Sequence, residues 1–149
     1  MTGVLTERST DRRQRPTRHW TMWPLRVVTT ACTVQVFAQA ALAGSFLSGH
    51  YTALHAHEIN GLLLAGFGWL LPVTAVLVWR PGRFAAWPML AGLVAYLAIA
   101  VQMVLGFSRS LAVHVPLGVV LLVALAFLCT WAWWPRARPA PDEPIGMGS

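Results

Sequence analysis

The chain has 149 residues, of which 56% are hydrophobic and only 11% are charged. Soluble domains usually carry about a quarter charged residues, so this composition argues against a soluble protein, and its hydrophobicity argues against disorder. The eleven basic residues are all arginine and outweigh five acids, which gives a formal net charge of +6. Such an excess can indicate nucleic-acid binding, so the positions of the arginines decide its meaning.

Four long apolar segments account for the composition: residues 25–47, 59–79, 84–107 and 111–134. Each is about 20 residues or longer, which is the length that an α-helix needs to cross the hydrocarbon of a bilayer. A helix also pairs its backbone N–H and C=O groups internally, as lipid requires. The sequence therefore predicts an all-α integral membrane protein, an up-down bundle of four helices within residues 21–135, surrounded by the lipid bilayer.

The arginines gather on one side of this predicted bundle. When both termini share a side, every arginine except Arg109 falls on that side, and so does every tryptophan except Trp69. Arginine is enriched in cytoplasmic loops, and tryptophan is enriched at membrane interfaces. We therefore predict cytoplasmic termini and a multi-pass protein of a bacterial inner membrane. The positive charge then indicates topology, and no nucleic-acid partner is expected.

The two ends of the chain are predicted to be disordered cytoplasmic tails, residues 1–20 and 136–149. The first apolar segment also resembles a signal peptide. Arginines precede it, and residues 38–44, which are mostly small, resemble a cleavage site. It is longer than the usual apolar core of such a peptide, about 7–15 residues, so we expect it to stay as a helix.

An internal repeat places histidine at equivalent positions. The first two segments can be laid over the last two, and both pairs carry His-x-x-x-Gly near the start of their second helix: His57 with Gly61, and His114 with Gly118. Three amides, Gln39, Asn60 and Gln102, lie within or at the edge of the segments, and we expect them to form hydrogen bonds between helices.

The repeated histidines suggest a haem site. The second and fourth helices run in the same direction, so His57 and His114 lie at one depth on diagonal helices of the bundle. Two level imidazoles can supply both axial ligands of one haem iron. Gly61 and Gly118, one turn further along, leave room for a flat macrocycle. The alternative is that the histidines only anchor the helices, and that the protein is a haem-free accessory or structural subunit.

A second kind of metal site is also open. His50, His55 and His57 form His-x4-His-x-His, a set that could bind Cu or Zn at the outer face. Glu58 follows, and we expect it at the first turn of the second helix, where the helix dipole favours a carboxylate. A role in proton transfer is the alternative for Glu58. No nucleotide-binding loop or nucleophile–base set is found, so no catalytic residue is predicted.

At its two His-x-x-x-Gly sites the chain resembles half of a haem A synthase, whose halves are four-helix bundles with a histidine on the second and fourth helices. It is also similar to small b-type membrane cytochromes and to uncharacterised four-span proteins of actinobacteria. The resemblance covers about residues 30–130. It implies that His57 and His114 are the axial ligands of a haem. We expect a b-type haem near the outer face, used for electron transfer or haem sensing with a redox partner or a second copy of the chain. Leu54 stands where the synthases carry a carboxylate, and Glu58 where they commonly carry arginine, so haem A synthesis is not implied.

Overall fold

A computed structural model describes residues 19–82 and 84–135, and that part of the chain contains helices and no strand. A short 3-10 helix, His19–Thr21, precedes five α-helices. These are α1 (Met22–Leu47), α2 (Thr52–Gly68), α3 (Leu70–Trp79), α4 (Trp87–Phe107) and α5 (Leu111–Trp133).

The five α-helices make four membrane spans. Helices α2 and α3 belong to one span of 28 residues, Thr52–Trp79, which is interrupted only at Trp69. The interruption has a local cause, because Pro72 lacks the N–H that would bond to the carbonyl of Gly68, the residue at which α2 ends. Each of the four spans is long and apolar enough to cross a membrane. The predicted all-α four-helix membrane fold is confirmed.

The spans pack in a ring, in chain order. Helix α1 packs against α5 and against the α2–α3 span, and α4 does the same from the opposite side. The pairs α1 with α4 and α2 with α5 are diagonal and make no comparable contact. We call the end where α1 begins and α5 ends the tryptophan end, and the end where α1 stops and α2 begins the histidine end. The bundle is therefore an up-down bundle, as predicted.

The outside of the bundle is apolar on every helix. Large side chains on α1, α4 and α5 are 62–66% exposed, among them Phe37, Leu90, Val123 and Phe127. The interior holds a central cluster that includes Leu71, Ile99 and Leu125 and a second cluster at the tryptophan end. An apolar surface of this extent is stable against lipid and not against water. The protein is therefore a multi-pass membrane protein.

Some predicted boundaries were wrong. The second span begins at Thr52 and not at residue 59, because histidine and glutamate interrupt the apolar pattern without interrupting the helix. Helix α4 begins at Trp87 and not at residue 84; Pro88 fits its first turn, where no N–H donor is needed. Residues 19 and 20, predicted as tail, belong to the 3-10 helix. The rest of the predicted tails, 1–18 and 136–149, lies outside the described residues.

The contact between α3 and α4 supplies a test of the packing. A Cβ atom on Gly92 would lie 3.0 Å from backbone atoms of Leu71 and Pro72, which cannot move aside cheaply. We expect Gly92→Ala to destabilise the bundle by about 1–3 kcal/mol. Thermal unfolding in detergent, followed by circular dichroism, measures the change.

The matched control is Gly66→Ala on α2, where an added Cβ would meet nothing within 4 Å. Alanine is the better helix former, so this variant should gain up to about 1 kcal/mol. Equal stability of the two variants would contradict the close approach of α3 and α4.

Candidate functional site

The two repeated histidines meet inside the histidine end of the bundle. His57 on α2 and His114 on α5 lie across the diagonal, with ring centroids 6.3 Å apart and ring planes inclined by 61°. Both side chains are half-buried. Because α2 and α5 are otherwise not in substantial contact, these rings bridge the centre of the bundle.

Each histidine is oriented by a backbone carbonyl of the neighbouring helix. His57 Nδ1 lies 3.1 Å from the carbonyl oxygen of Gln39, and His114 Nδ1 lies 3.1 Å from that of Gln102. A carbonyl oxygen can only accept a hydrogen bond, so Nδ1 carries the proton in both rings. The lone pair is then on Nε2, and neither Nε2 has a hydrogen-bond partner among the described residues. Histidines that bind metals are commonly held in this way.

The paired glycines face the side chains of the same glutamines. A Cβ atom on Gly61 would lie 2.7 Å from Nε2 of Gln39, and one on Gly118 would lie 2.8 Å from Nε2 of Gln102. We call the space beside Gly61 and the space beside Gly118, where a macrocycle was expected to fit, the glycine notches. Each notch holds the carboxamide group of a glutamine. Both contacts are made by the far ends of flexible side chains, so rotation about side-chain bonds can open the notches.

The glutamine amides are incompletely satisfied. Oε1 of Gln39 and Oε1 of Gln102 are buried and have no hydrogen-bond partner in the described part of the chain. We expected these side chains to form hydrogen bonds between helices, but in the described residues neither Oε1 does so. The backbone carbonyls of the two glutamines instead accept hydrogen bonds from His57 and His114 on the neighbouring helices. Asn60 behaves as predicted, because its Nδ2 donates to the carbonyl of Gln35 on α1 over 2.9 Å.

The site therefore repeats as a unit of three residues. In each hairpin a glutamine on the first helix orients a histidine with its carbonyl and covers a glycine with its side chain. The His-x-x-x-Gly repeat marks the histidine and the glycine in the sequence but does not reveal the role of the glutamine carbonyl. The recurrence of Gln-x-x-Leu, at Gln39 and Gln102, was the available signal.

The other candidate ligands do not join this unit. His50 lies in the turn between α1 and α2, with Nδ1 3.3 Å from the carbonyl of Ser45, whereas His55 is exposed on α2. His55 and His57 are two residues apart on one helix and so point in different directions. Within residues 19–82 and 84–135 no group of three His, Cys, Asp or Glu side chains could hold a metal ion. The three-histidine Cu or Zn site is thus not formed.

The expectation for Glu58 is also wrong. Helix α2 begins at Thr52, and its first turn contains no acid. The effect of the helix dipole is confined to that turn, so it does not account for Glu58. The side chain is exposed on the surface of the second span.

Comparison of the chain with protein-family models, with curated proteins and with solved structures finds no significant match.

The unpaired side-chain oxygens of Gln39 and Gln102 lead to a prediction about stability. Replacing Gln39 or Gln102 by leucine removes a buried acceptor without a partner and leaves the backbone carbonyl that orients the histidine. We expect Gln39→Leu and Gln102→Leu each to raise the free energy of unfolding by about 1 kcal/mol, measured by thermal or denaturant unfolding in detergent.

Asn60→Leu is the matched control, because the amide of Asn60 makes a hydrogen bond. This variant should lose about 0.5–1 kcal/mol. A loss of similar size in the glutamine variants would show that their amide oxygens have partners after all.

Proposed function

We propose that the protein binds one b-type haem at the histidine end of the bundle, with His57 and His114 as the axial ligands. One observation carries this proposal: two half-buried imidazoles from diagonal helices have ring centroids 6.3 Å apart, and in each ring Nδ1 donates to a carbonyl. That hydrogen bond fixes the tautomer in which Nε2 can bind a metal.

The spacing of the rings supports a shared metal ion. A bond from a metal to an imidazole nitrogen is about 2 Å long, and the ring centroid lies roughly 1 Å behind that nitrogen. Two imidazoles in line on one metal ion therefore have centroids about 6 Å apart. The observed separation is 6.3 Å.

The surroundings of the rings can adapt to a planar group. The nearest atoms at the notches of Gly61 and Gly118 are side-chain nitrogens of Gln39 and Gln102, and Sδ of Met103 lies 3.4 Å from the Cβ position at Gly61; all three belong to flexible side chains. Rotation of the glutamine side chains would break no hydrogen bond at Oε1, since neither oxygen has a partner in the described residues. The absence of a Cβ at both glycines leaves the cleared space free for the edge of a macrocycle.

The chain would position the haem, make its histidine ligands more basic and shield it from water. The carbonyls of Gln39 and Gln102 hold the two rings and, by accepting their Nδ1 protons, make each Nε2 a stronger ligand. His57 and His114 would hold the haem, which when bound would supply one-electron transfer. Electron transfer or haem sensing, with a redox partner or a second copy of the chain, is the corresponding role.

We also propose that both termini face the cytoplasm of a bacterial cell, which places the histidine end at the outer side of the inner membrane. The distribution of arginine supports this orientation. Arg26 and Arg80 lie at the tryptophan end, and Arg109 is the single described arginine of the histidine end.

The haem proposal predicts an absorption spectrum. Protein expressed in haem-replete cells and purified in detergent should show a sharp α-band on reduction and about one haem per chain. His57→Ala and His114→Ala should each abolish the band, because a haem with one remaining axial ligand loses the six-coordinate, low-spin spectrum. The optical spectrum of oxidised and reduced protein measures this directly.

His55→Ala is the matched control, since His55 lies on the same helix and is exposed. Its spectrum should equal that of the wild type, and circular dichroism should show all three variants folded. A colourless wild-type protein from haem-replete cells would overturn the proposal and favour the haem-free accessory role.

The orientation is tested by cysteine labelling in intact cells. In a chain whose two native cysteines are replaced by alanine, Ser110→Cys should react with a membrane-impermeant maleimide and Ala85→Cys should not. Both positions are exposed, the first at the histidine end and the second between α3 and α4 at the opposite end. The reverse pattern would invert the proposed topology.

A further inference from the structure

We propose that Arg26 forms, with Trp23 and Trp133, a binding site for the headgroup phosphate of an anionic phospholipid at the tryptophan end. The guanidinium carbon of Arg26 lies 5.3 Å from the ring centroid of Trp23 and 5.1 Å from that of Trp133. The two rings are 5.7 Å apart and almost perpendicular, so they enclose the guanidinium from two directions. This site is independent of the haem.

Hydrogen bonds hold the arginine and its aromatic neighbours in place. Nε of Arg26 donates to the carbonyl of Ala132 over 3.0 Å, which ties α1 to the end of α5. Nε1 of Trp133 donates to the hydroxyl of Thr30 over 3.0 Å, which fixes the second ring. The side chain of Arg26 is therefore ordered by the protein itself, and a ligand would bind without the entropic cost of immobilising it.

The guanidinium keeps donors to spare. It has five N–H groups, and only Nε–H has a hydrogen-bond acceptor in the described residues. The contacts with Trp23 and Trp133 use the electrostatic field of the rings and leave the terminal N–H groups available. Glu58 is the single acid in the described ranges, and it lies towards the other end of the bundle. The terminal N–H groups of Arg26 can therefore donate to the oxygens of an anion.

The position of the site selects a lipid as the source of that anion. The side chains of Trp23 and Trp133 are 55% and 46% exposed, and they form part of the apolar surface that faces the bilayer. Arg26 lies in the second turn of α1, about 6 Å along the helix axis from its first residue, which is the depth of the headgroup region for a helix that starts at the interface. The phosphate diester of a phospholipid lies in that region.

The chemistry of the site favours an anionic headgroup. A planar guanidinium binds two oxygens of one phosphate side by side, which a lysine cannot do. Arg80, whose guanidinium carbon lies 4.6 Å from the ring centroid of Trp79, adds positive charge to the same end. A zwitterionic headgroup would bring its own cation into this field, so phosphatidylglycerol should bind better than phosphatidylcholine.

Native mass spectrometry of the full chain tests the site. Delipidated protein in detergent is titrated with phosphatidylglycerol or with phosphatidylcholine, and the bound fraction is measured. We expect tighter binding of phosphatidylglycerol to the wild type, and a loss of about tenfold in its affinity on Arg26→Gln. Arg26→Lys, which keeps the charge and loses the planar fork, should recover only part of the affinity.

Arg109→Gln at the histidine end is the matched control and should bind phosphatidylglycerol as the wild type does. Unchanged binding by Arg26→Gln would overturn the proposal, and so would equal binding of the two lipids by the wild type. Displacement of phosphatidylglycerol by inorganic phosphate at similar concentration would assign the site to free phosphate instead of lipid. Circular dichroism of each variant establishes that it is folded.

Discussion

Hydrocarbon offers no hydrogen-bond partner to a polar group, and the architecture of this protein follows from that constraint. The backbone meets it by forming four helical spans. The polar side chains meet it by bonding to carbonyl oxygens of their own or neighbouring helices. Threonine hydroxyls donate to carbonyls one turn back at four positions: Thr29, Thr33, Thr74 and Thr130. Asn60 and Arg26 reach carbonyls on other helices, so each of them also joins two spans.

The buried polar atoms that lack a hydrogen-bond partner lie close together. Within the described residues, the buried side-chain atoms without a partner are Oε1 of Gln39 and Oε1 of Gln102. They lie beside the glycines that follow His57 and His114, whose Nε2 atoms are also without a hydrogen-bond partner there. Unpaired polar atoms in a membrane interior are expensive and are expected at functional sites. The same arrangement in both hairpins makes a chance defect in packing a poor explanation.

The two ends of the bundle differ in how they hold charge and aromatic groups. At the tryptophan end, Arg26 is enclosed by two indole rings and tied to α5 on the outer surface of the bundle. At the histidine end, two imidazoles turn inward between diagonal helices. The first arrangement suits contact with lipid headgroups, and the second suits a group held inside the protein. The central cluster around Leu71, Ile99 and Leu125 separates the two ends.

The sequence by itself determined the number of spans and the up-down order, because uninterrupted apolar length is the physical requirement for crossing a bilayer and can be read along the chain. It also marked His57 and His114, through the internal repeat. It did not determine where α2 begins, since polar residues at an interface break the apolar pattern without breaking the helix. Only the tertiary structure decided that Gln39 and Gln102 orient the histidines with their carbonyls and cover the glycines with their amides. Those contacts depend on the rotation and separation of neighbouring helices, which packing sets and no local pattern records.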